Sequence, residues 1–267
     1  MEKSKNIISI HGAPRSGTSW LGQIFDSSPN VRYKFQPLFS NSFKDYINVR
    51  SSNEEINDYF KKLYYFNDDF LDAIYQKEKG IYPIYSKNES ATFLTTKMVR
   101  YHYLSERILQ ATPYSKLVFI IRNPCGAIDS WSKASEKEYL PQWNLDEHWY
   151  FAQGKNQFKP EEYYGFHRWK ELSKMALQLK SKYKNRVEII QYEELSSRPF
   201  EIIEKLFEFC GIEFSEQTQG FLNESKTANN QDYYSVFKAN KDVHSWGNSL
   251  PPNIINKIYL ELKETDL

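Results

Sequence analysis

Cysteine is nearly absent, with Cys125 and Cys210 the only two among 267 residues. Two thiols cannot staple a fold of this size. They read as small buried side chains in a reducing compartment. No Cys/His cluster has metal-ligand spacing, so no structural zinc is expected and no metal is required. Long apolar runs are missing as well. None approaches the roughly 20 residues of a membrane-spanning helix. The opening Met1-Glu2-Lys3-Ser4-Lys5-Asn6 lacks the apolar segment of a secretory signal, so a cytoplasmic protein is expected. Nor does one sign of charge dominate. Lys plus Arg number 35 and Asp plus Glu 34, which argues against a protein that coats nucleic acid. Glycine and proline are scattered, with no linker, repeat or low-complexity tract. One domain over residues 1–267 is the simplest reading.

Aromatic residues are plentiful: 20 Tyr, 18 Phe and 6 Trp. Most belong to a core. Trp169 falls in a helical pattern and reads as core. Trp143 and Trp149 lie in a polar stretch and are better candidates for lining a pocket.

Short apolar runs alternate with helical patterns. Asn6–His11 reads as a buried strand, and Thr18–Asp26 as a helix with Leu21, Ile24 and Phe25 on one face. Thr92–Val99 and Lys116–Ile121 read as strands, and Cys125–Ser135 as a helix. Glu161–Tyr183 is a long helical pattern before a short strand at Val187–Ile190. Phe200–Phe209 and the segment from Pro252 to about Lys263 read as helices. This alternation predicts an α/β fold, a parallel sheet flanked by helices. Ligands on such sheets sit at the carboxyl ends of the strands. The stretch 32–90 shows no clear strand and reads as a helical insertion over that edge. Residues 133–164 read as a lid. Both would shape an acceptor pocket.

Gly12-Ala13-Pro14-Arg15-Ser16-Gly17-Thr18-Ser19 joins the first strand to the first helix with the spacing of a nucleotide phosphate loop. Small residues let backbone N–H groups converge on an anion, and the helix N-terminus favours negative charge. The lysine that a Walker-type triphosphate site needs is Thr18 here, and no acidic residue closes the strand at Ile121. A metal-dependent triphosphate site therefore lacks two of its parts. Alone, the segment could equally be a helix-capping turn that binds nothing. Arg122-Asn123-Pro124, with Ser130 two turns into the next helix, supplies an Arg fork and a hydroxyl suited to a lone phosphate. It could equally be an Arg paired with a carboxylate.

Taken together and in order, these segments resemble the sulfotransferases that use 3′-phosphoadenosine-5′-phosphosulfate (PAPS). Pro14, Arg15, Ser16, Gly17, Thr18, Ser19 and Trp20 resemble the loop for the 5′-phosphosulfate. Arg122 with Ser130 resembles the element for the 3′-phosphate. Tyr192-Glu193-Glu194-Leu195 and Phe207-Glu208-Phe209-Cys210-Gly211 resemble later family segments. Lys238–Leu250, with Lys241 and Trp246, resembles a C-terminal segment that closes on the cofactor. The resemblance spans residues 7 to about 250. It implies a P-loop-like fold, PAPS as donor, and in-line transfer of a sulfuryl group to a small-molecule or glycan hydroxyl. The Arg-Ser-Gly-Thr-Ser version with Gln36-Pro37 is closer to the carbohydrate and bacterial branch, so a carbohydrate or glycolipid acceptor is expected.

Transfer needs cations on the sulfuryl oxygens and a base for the acceptor hydroxyl. Arg15 is the first candidate cation and Lys97 the second, with Arg100 beside it. In the branch resembled, a Glu before the Pro serves as base. Here that position is Gln36, whose amide cannot take the proton. Gln36 is then a positioning candidate, with His102 the first substitute base and His11 the second. Two other readings stay open: a small-molecule phosphate-loop kinase, and a nucleotide-binding scaffold that has lost its base.

Overall fold

The computed structural model describes residues 6–138, 144–230, 232, 234–237 and 242–267. Five parallel strands form one sheet: β1 (Asn6–His11), β2 (Val31–Phe35), β3 (Phe93–Met98), β4 (Ser115–Ile121) and β5 (Val187–Gln191). Their order is β2-β3-β1-β4-β5. Ile10 of β1 lies opposite Lys97 of β3 on one side and Val118 of β4 on the other.

The sheet is covered on both faces, which is why its inner strands are runs of apolar residues and not alternating ones. Side chains along a strand point to opposite faces in turn. Ile7, Leu117 and Phe119 therefore join one apolar cluster, with Leu172 and Ala176 of the helix Gly165–Lys182 and Ile254 and Ile258 of the helix Pro252–Leu262. Ile8, Ile10, Val118 and Ile120 join the other, with Leu21, Ile24 and Phe25 of the helix Thr18–Asp26 and Phe207 of the helix Pro199–Cys210. The carboxyl ends of all five strands meet at one edge.

The expected insertion over 32–90 needs one correction. Its first residues are β2, the edge strand paired to β3. Val31, Tyr33 and Phe35 alternate with the polar Arg32 and Lys34, a period-two pattern, but Lys34 is buried instead of facing solvent. Lys34 is only 2% exposed, and its ammonium is held 2.7 Å from Asp72. A charged residue thus sits inside because the insertion brings it a partner. The helix Asn53–Tyr65 follows, capped by Ser52 and Glu55. The pattern from Glu161 also becomes helical later than its periodicity suggests, at Gly165. The turn before it is fixed by Asn156, whose side chain bonds Tyr164 through both its amide N–H and its carbonyl. Gly165 has φ +86°, and a Cβ there would lie 2.6 Å from the Tyr150 carbonyl oxygen.

Candidate active site

The loop after β1 turns tightly. Arg15 and Gly17 both adopt positive φ, 70° and 92°. A Cβ on Gly17 would meet the Tyr192 ring at 2.5 Å, and one on Gly12 would lie 2.6 Å from the Thr18 methyl. Glycine is required at both places by close approach. The loop delivers the chain into the helix Thr18–Asp26, whose first N–H groups have no partner within the helix.

Beside this helix start lies a cleft of about 370 Å³, within the range of small-ligand sites. Of the residues singled out from the sequence, Arg15, Gly17, Thr18, Ser19, Trp20, Arg122, Ser130 and Tyr192 line it. The loop and the β4 segment, read separately, are in direct contact. The Arg15 guanidinium donates to Ser130 Oγ at 3.3 Å, and Arg122 Nη1 donates to the Arg15 carbonyl at 3.0 Å. Arg122 is 4% exposed, and its guanidinium lies 4.8 Å from the centre of the Tyr192 ring. Burial lowers its pKa, opposed by Tyr192 and Glu193 nearby. Arg122 Nε and Ser16 Oγ are buried with no hydrogen-bond partner among the described residues. A buried guanidinium N–H without an acceptor is costly, and an anion would satisfy it.

Pro14 borders a separate small recess together with Trp131 and Tyr164, and Ser16 is fully buried. Trp246 is half-buried at the start of the helix Pro124–Glu138, where a Cβ on Gly126 would lie 3.2 Å from it and 3.0 Å from Arg122 Nε. It neighbours Arg122 without lining the cleft. Lys238, Lys241 and Trp143 lie outside the described residues. Trp149, a pocket candidate, is buried in the core, its ring stacked 5.9 Å from that of Phe166.

A second group gathers at the ends of β2 and β3. Lys97 is 3% exposed and donates to Ser19 Oγ at 2.9 Å. Burial, then the Arg15 and Arg100 guanidiniums, lower its pKa from 10.5 to about 7. The Gln36 N–H bonds the Lys97 carbonyl at 3.0 Å. Arg100 holds Glu162 at 2.8 Å and donates to Gln36 Oε1 at 3.1 Å.

His102 is not placed where a base must be. It is fully buried, with Nδ1 3.0 Å from His11 Nδ1. Desolvation keeps both rings neutral, holding His11 at about 3 and His102 well below its usual range. A base must come within hydrogen-bond reach of the proton it takes, directly or through one water. The pair sits instead behind the loop, with Phe119 stacked on His11 and Tyr163 edge-on to His102.

Sequence reading missed part of the cleft wall: Ser196, Ser225, Lys226 and the run Tyr234–Val236. Trp20 Nε1 donates to Ser225 Oγ at 3.2 Å, and Arg15 faces the Tyr234 ring at 5.3 Å. Tyr82 was missed too. It hydrogen-bonds Ser19, and burial raises its pKa to about 12. None of these residues belongs to a motif, so no local pattern marks them.

A family model described as the sulfotransferase family matches residues 8–216. The chain belongs to the sulfotransferase family. Solved structures carry the same fold. The mouse sulfotransferase SULT7A1 complexed with PAP is 16% identical, with 98% of this chain and 86% of that one covered at a TM-score of 0.56. Retinol dehydratase in a complex with retinol and PAP is 16% identical, with 100% and 84% covered at 0.57. The sulfotransferase domain of the Synechococcus PCC 7002 olefin synthase is 16% identical, with 100% and 97% covered at 0.53. No curated protein is similar enough to count as a match. The family and the parallel α/β architecture expected from the motifs are thus both found, and this sulfotransferase is an enzyme of sulfuryl transfer. None of its described helices is long and apolar enough to cross a membrane.

Proposed function

We propose that the chain is one catalytic domain that transfers a sulfuryl group from PAPS to an acceptor hydroxyl. The observation that carries this is the direct contact between the two anion elements, Arg122 Nη1 on the Arg15 carbonyl and Arg15 on Ser130. One ligand with phosphate at both ends would span them. The residues fit such a donor. The loop and the helix N-terminus suit its 5′-phosphosulfate, and Arg122 and Ser130 its 3′-phosphate. Trp20 and Tyr192 offer rings to the adenine of the donor. Trp246, close to Arg122, is proposed to bind at the same end.

Arg15 and Lys97 are the cations for the charge that develops on the sulfuryl oxygens, and Ser19 joins Lys97 to the loop. Two solved relatives in fold are complexes with PAP, which supports the donor. The buried, unbridged Cys125 and Cys210 suit a cytoplasmic setting. The resemblance of the loop suggests a carbohydrate or glycolipid acceptor, whereas the residues beside Gln36 favour another class.

Calorimetric titration with adenosine 3′,5′-bisphosphate tests the donor. Expected are tight binding, much weaker binding of AMP, and loss of 100-fold or more in Arg122→Ala, since a buried charge-assisted partner is removed. Preference for ATP with magnesium, or no binding, would overturn the proposal.

A further inference from the structure

The sheet edge divides at β1. The ends of β1, β4 and β5 carry the donor cleft, while those of β3 and β2 carry Lys97, Arg100 and Gln36. An acceptor in line with the donor would enter on this second side, and three facts describe it.

The first is the orientation of Gln36. A guanidinium has donors only, so the atom facing Arg100 Nη1 at 3.1 Å must be the amide oxygen. The Gln36 NH₂ group is therefore turned away from Arg100, and it has no partner among the described residues. Glu162 fixes Arg100 from behind with both carboxylate oxygens, at 2.8 and 2.9 Å from Nε.

The second is that several of the nearby bases are already engaged. Glu162 is held by Arg100. Asp72 is bound to Lys34, and Asp45 accepts from the Tyr101 hydroxyl at 2.8 Å. His11 and His102 are sealed in the core. Lys97 lies among cations, and an anionic donor beside it would hold it as ammonium.

The third is a row of rings. Phe35 lies under the Lys97 ammonium at 4.1 Å and contacts Phe70 edge-on at 5.3 Å. Phe39 lies under Arg100 at 4.0 Å and 6.3 Å from Phe70. Phe39 and Phe70 remain 43% and 37% exposed.

From these we infer that the acceptor is an acidic aromatic hydroxyl, a phenol that reacts as its anion, and that the sulfotransferase selects against sugar and alkyl hydroxyls. The ring lies against Phe39 and Phe70. The Gln36 side-chain NH₂ group donates to the phenolate oxygen, as an oxyanion site does. The phenol releases its proton to solvent before transfer. Its oxygen then bonds to sulfur as the bond from sulfur to the bridging oxygen of the donor's 5′-phosphate breaks, the electron pair leaving with that oxygen. The products are an aryl sulfate, adenosine 3′,5′-bisphosphate and the released proton, so no base is needed in the site. An alcohol ionises too weakly to use it.

This rests on the proposed sulfuryl transfer, and binding of adenosine 3′,5′-bisphosphate checks that separately. With PAPS as donor, kcat/KM is measured for phenols of graded acidity, for cyclohexanol and for methyl glucoside. Expected is at least 100-fold preference for phenols, rising with acidity at neutral pH. Gln36→Glu places a carboxylate at the acceptor, so the ratio of phenol to alcohol should fall at least tenfold. Equal transfer to glucoside and phenol, or no transfer to any phenol by a protein that binds the bisphosphate, would overturn the acceptor class and leave the donor reading standing. Failure to bind the bisphosphate would overturn both. The panel on the unaltered enzyme decides the matter even if Gln36→Glu folds poorly.

Discussion

Lys97 should make the protein less stable than it would be without it. The unfolded chain holds this proton with a pKa near 10.5, while the folded chain holds it at about 7 because of burial and the two neighbouring guanidiniums. The unfolded state thus binds more protons between these values, and stability rises with pH across that window. Below pH 7 the full cost is present. At about 1.4 kcal/mol per unit, it is of order 4–5 kcal/mol. Lys97→Met keeps most of the volume and removes the charge. It also loses the hydrogen bond to Ser19, of about 1 kcal/mol, and the Lys97–Phe35 contact, of up to about 2 kcal/mol where desolvated. A net gain of roughly 1–3 kcal/mol at pH 7 is expected, shrinking as pH rises and lost or slightly reversed by pH 10.5. Urea unfolding of both proteins at pH 7 and pH 10 measures it. The variant should bind the bisphosphate no better and transfer far more slowly, the usual trade between stability and activity. A Lys97→Met protein no more stable at pH 7, or one whose advantage does not shrink in alkali, would refute the reasoning.

Two further outcomes follow from the geometry. Gly17→Ala forces a side chain into the left-handed region, costing about 1–2 kcal/mol, and presses on Tyr192, costing about 1–3 kcal/mol more. The melting temperature should fall by about 5–15 °C, and bisphosphate binding should weaken as Tyr192 moves off Arg122. A fall under 2 °C would contradict this. The buried His11 ring stays neutral to about pH 3, whereas an unfolded His takes up a proton near 6.5. Stability should therefore drain away as pH falls from 6.5 toward 3. His11→Asn should flatten that limb in urea titrations, and an unchanged limb would assign the acid sensitivity elsewhere.

How much was legible depended on how local each feature is. β1, the loop and the first helix were read to the residue because strand, turn and helix signals follow one another without a gap. Arg122 was legible because a basic residue closes an apolar strand, a local contrast. β2 was missed because its burial of Lys34 depends on Asp72, a partner almost forty residues away that no window includes. The far wall of the cleft, Ser225, Lys226 and Tyr234–Val236, lies far from the loop in sequence, and the Trp20 indole and Arg15 reach it across the fold. His102 illustrates the reverse error. Chemistry suited it to be a base, but its place in the chain, just past Tyr101 at φ +60°, turns it inward against His11.

Every strand pair in the sheet is parallel and joins partners about 60 to 110 residues apart. Such topologies close long loops before any contact compensates, so they fold slowly. The loop hangs on β1, which cannot be held until β3 and β4 have both arrived from later in the chain. The anion cleft then has no partly assembled form. During synthesis the chain should remain unable to bind nucleotide until β4 has left the ribosome. A protease cut in any crossover should abolish binding all at once and not by degrees.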